Sequence, residues 1–124
     1  MIDHVSIAVS DLRRSAEFYR RVFAPLGMAA LVEEPHRFGF GKRYPEFWIN
    51  ERPAMRPVDA DTGCHVCLRA RDREAVRLFF EIALDAGGLD DGPPGNRTAS
   101  MTDYYAAFVR DPDGNRLEAA TFPR

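Results

Sequence analysis

Two histidines stand at matching places in the two halves of this chain. His4-Val5 near the N-terminus returns as His65-Val66, and the residues that follow keep step: Asp11 with Asp72, Phe18 with Phe79, Gly27 with Gly88. One constant interval separates every pair, about half of the 124 residues. A neutral imidazole on each of two related strands can face a central ion or ligand across a pseudo-twofold axis. The C-terminal segment offers a third group, because Glu118 is the lone acid among Leu117, Ala119, Ala120 and Phe122 and is poorly explained as a solvated charge. Two imidazoles and one carboxylate form a facial set that leaves open positions on a divalent metal. Non-haem Fe(II) sites use that set, and Mn, Ni or Zn occupy similar ones. Through the open positions a substrate can bind the metal for Lewis-acid or oxygen chemistry. The same residues also have a plainer reading: each histidine bonds nearby backbone, and Glu118 faces water.

The elements that must hold these groups follow from the hydrophobic period. From Ile2 to Val9 apolar Val5, Ile7 and Val9 alternate with His4, Ser6 and Ala8, which predicts a strand with the histidine on the face away from the core. Ser10-Asp11 predicts the start of a helix running to about Phe23, stopped by Pro25 and Gly27. Short strands are expected over residues 29–33, 37–40 and 47–50. The second half repeats the plan. Residues 64–70 form a strand with His65, Cys67 and Arg69 on one face, and Asp72 opens a helix that ends at Gly87-Gly88. A polar stretch from Asp90 to Asp103, with Gly92-Pro93-Pro94-Gly95 inside it, reads as a long loop and a possible lid. Strands over 106–110 and 115–121 then close around the turn Asp111-Pro112-Asp113-Gly114.

Composition narrows the function. A net charge of −2 supplies no basic field for nucleic acid or an anionic membrane surface. No apolar stretch approaches the roughly 20 residues that span a bilayer. The first residues lack the basic-then-apolar layout of a signal peptide, so a cytoplasmic location is expected. Cys64 and Cys67 have C-x-x-C spacing, but residues three apart on a strand point to opposite faces and no second pair completes a zinc site. They read as plain strand thiols.

Asp3-His4-Val5, the helix start from Asp11-Leu12 to Phe18-Tyr19, His65-Val66 and the closing run Asp111 to Glu118 together resemble the vicinal oxygen chelate superfamily. That group includes glyoxalase I, bleomycin-resistance proteins and extradiol dioxygenases, and the resemblance covers the whole chain. It implies a single α+β domain of two tandem βαβββ modules, about residues 1–57 and 62–124, forming a curved mixed sheet around a metal cleft. It implies metal ligands on the first and last strands of each module, hence His4, His65 and Glu118, with a fourth place near Ile49 or Asn50. Glyoxalase I-like enzymes fill that place with Glu or Gln, so a dioxygenase-like or other lyase role is favoured here. Glu51 would reach it only by a register slip that flips the strand's faces.

Extradiol enzymes carry a tyrosine where this chain has Phe108. Tyr104 and Tyr105, just upstream, are candidates to orient a substrate oxygen, or else surface aromatics. His36, the remaining histidine, sits in a Pro-containing loop and is expected to be exposed. Arg69 shares a face with His65 and either draws an anionic substrate inward or ends its strand in water. Trp48, Phe47, Phe108 and Phe122 are candidates for an apolar wall. The expected partners are a small-molecule substrate, a divalent ion (Fe, Mn, Ni or Zn) and a second copy in a homodimer, with the cleft inside one chain or across two. The rival expectation is a bleomycin-resistance-type protein that binds a small molecule without metal or turnover.

Overall fold

The computed structural model describes residues 1–98 and 102–123. Alternation builds β1 (Val5–Val9): Val9 is fully buried, Val5 and Ile7 pack on the same core, and Ser6 is exposed. The two predicted caps form alike. Asp11 accepts from the Arg14 N–H at 3.1 Å to open α1 (Leu12–Phe23), and Asp72 accepts from Ala75 at 2.9 Å to open α2 (Arg73–Asp85). A 3-10 turn (Ala24–Leu26) ends α1 at Gly27, whose φ of 76° is the left-handed cap that glycine adopts without a Cβ clash. Then come β2 (Ala29–Glu33), β3 (Arg37–Gly41), β4 (Phe47–Glu51) and β5 (Val66–Arg69). After α2 follow β6 (Leu89–Thr98), β7 (Asp103–Arg110) and β8 (Arg116–Thr121).

The strands form two four-stranded mixed sheets, ordered β1-β4-β3-β2 and β5-β8-β7-β6. In each, the first strand runs parallel to the last strand of its module and the other pairs are antiparallel. This is the expected α+β pair of βαβββ modules. Both helices contribute to one continuous core. Tyr19, Phe23, Phe40 and Phe47 pack edge-on or tilted with ring centroids 5.0–6.1 Å apart, and Phe79 and Val76 of α2 are fully buried beside them. Gly88 belongs where α2 meets β7 because a Cβ there would lie 2.8 Å from the Arg110 carbonyl and 2.9 Å from the Phe18 ring.

Three expectations change. The long loop from Asp90 is instead β6 as far as Thr98, and positions 99–101 of the stretch lie outside the described residues. Pro93 and Pro94 are tolerated because β6 is an edge strand with bulges around Gly92, where missing N–H donors cost little. β7 begins at Asp103 rather than at residue 106, which makes Tyr104 and Tyr105 strand residues. Ile2, Asp3 and His4 precede β1 instead of opening it, and Cys64 and His65 likewise precede β5. Among the described residues no helix is long and apolar enough to cross a membrane.

The Asp111–Gly114 turn clamps the second module onto the first. The Tyr19 hydroxyl donates to Asp111 Oδ2 at 2.7 Å inside the core. Asp113 accepts from the Ser10 N–H at 2.9 Å and its hydroxyl at 2.6 Å, and the Asn115 amide donates to the Ala8 carbonyl at 2.9 Å. Burial pushes the Asp111 carboxyl above its ordinary value, while bonds from Tyr19, Asn115 and Asp113 pull the other way. A carboxyl raised in the fold binds its proton first on acidification. Its ionised form is therefore a net cost at neutral pH, and the cost is relieved as pH falls through the raised pKa. Tyr19→Phe removes one stabilising donor and should cost about 1–3 kcal/mol at neutral pH in urea unfolding. The gap should narrow as pH falls from about 8 to about 4 and Asp111 becomes protonated in both proteins. A gap constant over that range would refute this account.

Candidate metal centre

The register of β5 on β8 builds the site. Cys67 lies opposite Glu118, and Phe108 of β7 flanks Glu118 on its other side. His65, two residues before Cys67, shares that face, and its Nε2 donates to Glu118 Oε1 at 3.0 Å. The Glu118 side chain is only 5% exposed against 40% for His65. Its other oxygen, Oε2, is buried with no hydrogen-bond partner. The His65 ring packs on Phe108 with centroids 5.8 Å apart.

The same face gathers further groups. Tyr104 alternates with Phe108 along β7 and stacks on Phe122 at 5.0 Å. Burial and the charge of Glu118 hold its phenol above the usual range. The Arg69 guanidinium lies over Phe122 at 5.2 Å, and that of Arg97 over Phe108 at 5.7 Å. Beside Tyr104 and Phe122 opens a cavity of about 610 Å³ with Arg73 and Arg97 on its walls. Tyr105 also lines this cavity, but alternation along β7 turns it away from the face of Glu118. It points to the helix side of the sheet, beneath Arg73 at 4.9 Å.

His4 belongs to the other module. It is exposed, its Nδ1 donates to Asp3 at 2.7 Å, and it lines a cavity of about 370 Å³ with Ser6, Trp48 and Asn50. His65 lines a different one. Among the described residues no three His, Cys, Asp or Glu side chains already stand in metal-ligating positions. His65 and Glu118 are thus assembled; His4 is bonded to Asp3 rather than to either, although a further cavity of about 330 Å³ places it with Cys67 and Arg69 of the second module.

The fourth place is corrected by the ladder. Ser6 pairs with Trp48 just as Cys67 pairs with Glu118, so Trp48 is the counterpart of Glu118. Gly39 faces Trp48 as Phe108 faces Glu118, with one residue more between the partners in the second module, so an ungapped match of Phe40 to Phe108 misses the place. Ile49 is fully buried in the core, Asn50 bonds Ser6, and Trp48 lies under Arg37 at 4.5 Å. Glu51 accepts from the Leu12 N–H at the start of α1 and pairs with exposed His36 at 3.2 Å. Both are tied up away from Glu118.

Two residues of this face escaped the sequence reading. Cys67 was legible through its alternation with His65, but a lone thiol carries no motif. Although the residue is exposed, packing around the thiol and then the nearby charge of Glu118 push its pKa up to about 12. Arg97 was hidden because its strand reads as a loop.

A half-site with an orphaned buried carboxylate oxygen and an adjacent imidazole fits a divalent cation, whose charge would compensate Glu118. Without a metal, that carboxylate is a stability cost. Glu118→Gln should therefore raise the stability of metal-stripped protein by about 1–2 kcal/mol in urea unfolding. A loss of similar size would mean that the ion pair with His65 outweighs the burial penalty.

Comparison with known proteins agrees with this architecture. The family model described as Glyoxalase/Bleomycin resistance protein/Dioxygenase superfamily matches residues 1–119, and the chain belongs to that superfamily. Among individual relatives, it is 28% identical over 123 residues to metallothiol transferase FosB of Shouchella clausii, covering 97% of this chain and 79% of that protein. It is 25% identical over 127 residues to virulence protein STM3117 of Salmonella typhimurium, covering 98% and 83%. A solved glyoxalase/bleomycin resistance protein from Albidiferax ferrireducens superposes with a TM-score of 0.85 at 28% identity, over 96% of this chain and 97% of that one.

Proposed function

We propose that this protein is a metal-dependent enzyme acting on a small anionic molecule that chelates a divalent cation through adjacent oxygens. The observation that carries the reading is the buried, unpartnered Oε2 of Glu118 beside His65. His65 and Glu118 would hold the ion, and His4 would complete the set after leaving Asp3. A cation so held supplies Lewis-acid stabilisation of negative charge developing on the bound oxygens. Tyr104, kept protonated by burial and by Glu118, serves as a donor that orients a substrate oxygen. Arg69 and Arg97 place positive charge over the aromatic wall of Phe122 and Phe108, where an anionic group would settle. Trp48 adds apolar surface from the first module.

The reaction type we favour is lyase or group-transfer chemistry rather than oxygen insertion. A dioxygenase needs an acid–base histidine near the substrate, and His36 is held by Glu51 at the opposite side of its strand. A relative named as a metallothiol transferase supports the group-transfer branch. Tag-free protein should take up about one equivalent of Fe(II), Mn, Ni or Zn per site. His65→Ala and Glu118→Ala should each weaken binding beyond the roughly 10–100-fold typical of losing an outer-shell partner, and His4→Ala should weaken it as well. Failure of the wild type to bind any of the four ions would sink the metal reading and leave the arginine-lined aromatic face as a ligand pocket of the bleomycin-resistance kind.

We further propose that the working unit is a homodimer. β1 and β5 are edge strands, and their apolar Val5, Ile7, Val66 and Leu68 are only half buried. Open edges of this kind are normally covered. Sedimentation should give twice the 14.0 kDa chain mass at micromolar concentration, and Ile7→Lys should shift it to monomer. A monomeric wild type would rule this out.

A further inference from the structure

The Gly92-Pro93-Pro94-Gly95 segment of β6 has no role in the chemistry above, yet it wraps around one cation of the Glu118 face. Arg97 pairs with Tyr104 across the ladder, and its guanidinium lies over Phe108. Pro93 falls in a register shift, outside the pairing, and its carbonyl accepts from Arg97 Nη2 at 2.7 Å. Nη1 donates to the Asn96 carbonyl at 3.3 Å. Two glycines make the room: a Cβ at Gly95 would lie 3.0 Å from Nη1, and one at Gly92 3.5 Å from Nη2. So held, Arg97 is half-buried and, among the described residues, meets no carboxylate. Asp91 of the same strand goes instead to Arg110 and Arg116. Of the acids on the cavity wall beside Arg97, Asp72 caps α2 and Asp103 is exposed.

We propose that Arg97 is the anion receptor of this face, held ready by the Gly92–Gly95 bulge, and that the group it selects is an oxyanion, a carboxylate or a phosphate. The inference deepens the small-anion reading above and rests on it. A cation partly withdrawn from water without a counter-charge is a cost that a bound anion relieves. The two carbonyls fix the direction of the planar fork, and the N–H groups left over suit the paired oxygens of an oxyanion. Phe108 supports the flat face of the guanidinium. Because the fork is oriented before binding, little side-chain freedom is lost when the anion arrives. Arg69 is exposed over Phe122 and has no comparable mount among the described residues. Gly95 and Pro93 are therefore positioning residues that act through Arg97.

The test titrates the full chain, freed of divalent ions, with phenyl phosphate and with benzoate while NMR follows the arginine side-chain N–H signals. At least one anion should move, with saturation, the Nε–H signal that Arg97→Lys removes, and the tighter of the two names the oxyanion. Gly95→Ala keeps the charge but pushes the fork off its mount. It should weaken binding about tenfold, the scale of one charge-assisted hydrogen bond, with an unchanged unfolding midpoint. Arg97→Lys should weaken it at least as much, because a point charge does not reproduce the fork. No saturable shift of that signal in the wild type would overturn the inference. Wild-type affinity in Gly95→Ala would overturn the role of the bulge, and wild-type affinity in Arg97→Lys that of the fork. Divalent-ion uptake by the same samples separates the two readings. An ion bound without the anion sinks only this inference, and the anion bound without an ion sinks only the metal reading.

Discussion

The bond from the Tyr19 hydroxyl to Asp111 is the joint on which the rest of the molecule is hung. It joins the first helix to the last turn, so it must wait for both ends of the chain to meet. Inside a core of aromatic rings, an acceptor without its donor would cost more than the bond itself contributes. The neighbouring bonds from Ser10 to Asp113 and from Asn115 to Ala8 use the same turn to hold β1 against the start of β8. Glu118 lies a few residues beyond this turn, so the register of β8 is set where the modules meet and delivered at the site.

From that register, the chemistry of the face follows by alternation. Glu118, Phe108, Cys67 and His65 converge because one ladder of parallel strands and one antiparallel hairpin share β8. The opposite faces of these strands, with Leu117, Val109 and Ala119, are fully buried in the core and leave no freedom to slip. A carboxylate buried without enough donors is what packing alone would avoid. Its retention next to an imidazole is the kind of local inconsistency expected where function overrides stability.

Much of this was readable from residue order. The caps Asp11 and Asp72, the helices they open, the strand alternation of both halves and the pairing of His4 with His65 by repeat all depend on near neighbours. Less was readable where pairing partners are distant. Pro93 and Pro94 argue for a loop within their own window, yet an edge position lets β6 form. An ungapped comparison of the halves pointed to Asn50 or Ile49, whereas the ladder selects Trp48, because the register of a hairpin is not visible in spacing alone. Tyr104 and Tyr105 were equivalent in the sequence and are separated to opposite faces by the sheet.

The sequence by itself determined the local periods, the caps, the twofold repeat and which chemistry-bearing residue types were present. These are encoded in dihedral preferences and in apolar spacing over a few residues. Only the tertiary structure decided that Glu118 is buried with one oxygen unpaired, that His65 already touches it, that His4 does not, and that Cys67 stands across from it. Those outcomes depend on strand register and on the packing of one module against the other. Both are settled by contacts between residues far apart in the chain, and the local sequence at either partner carries no record of them.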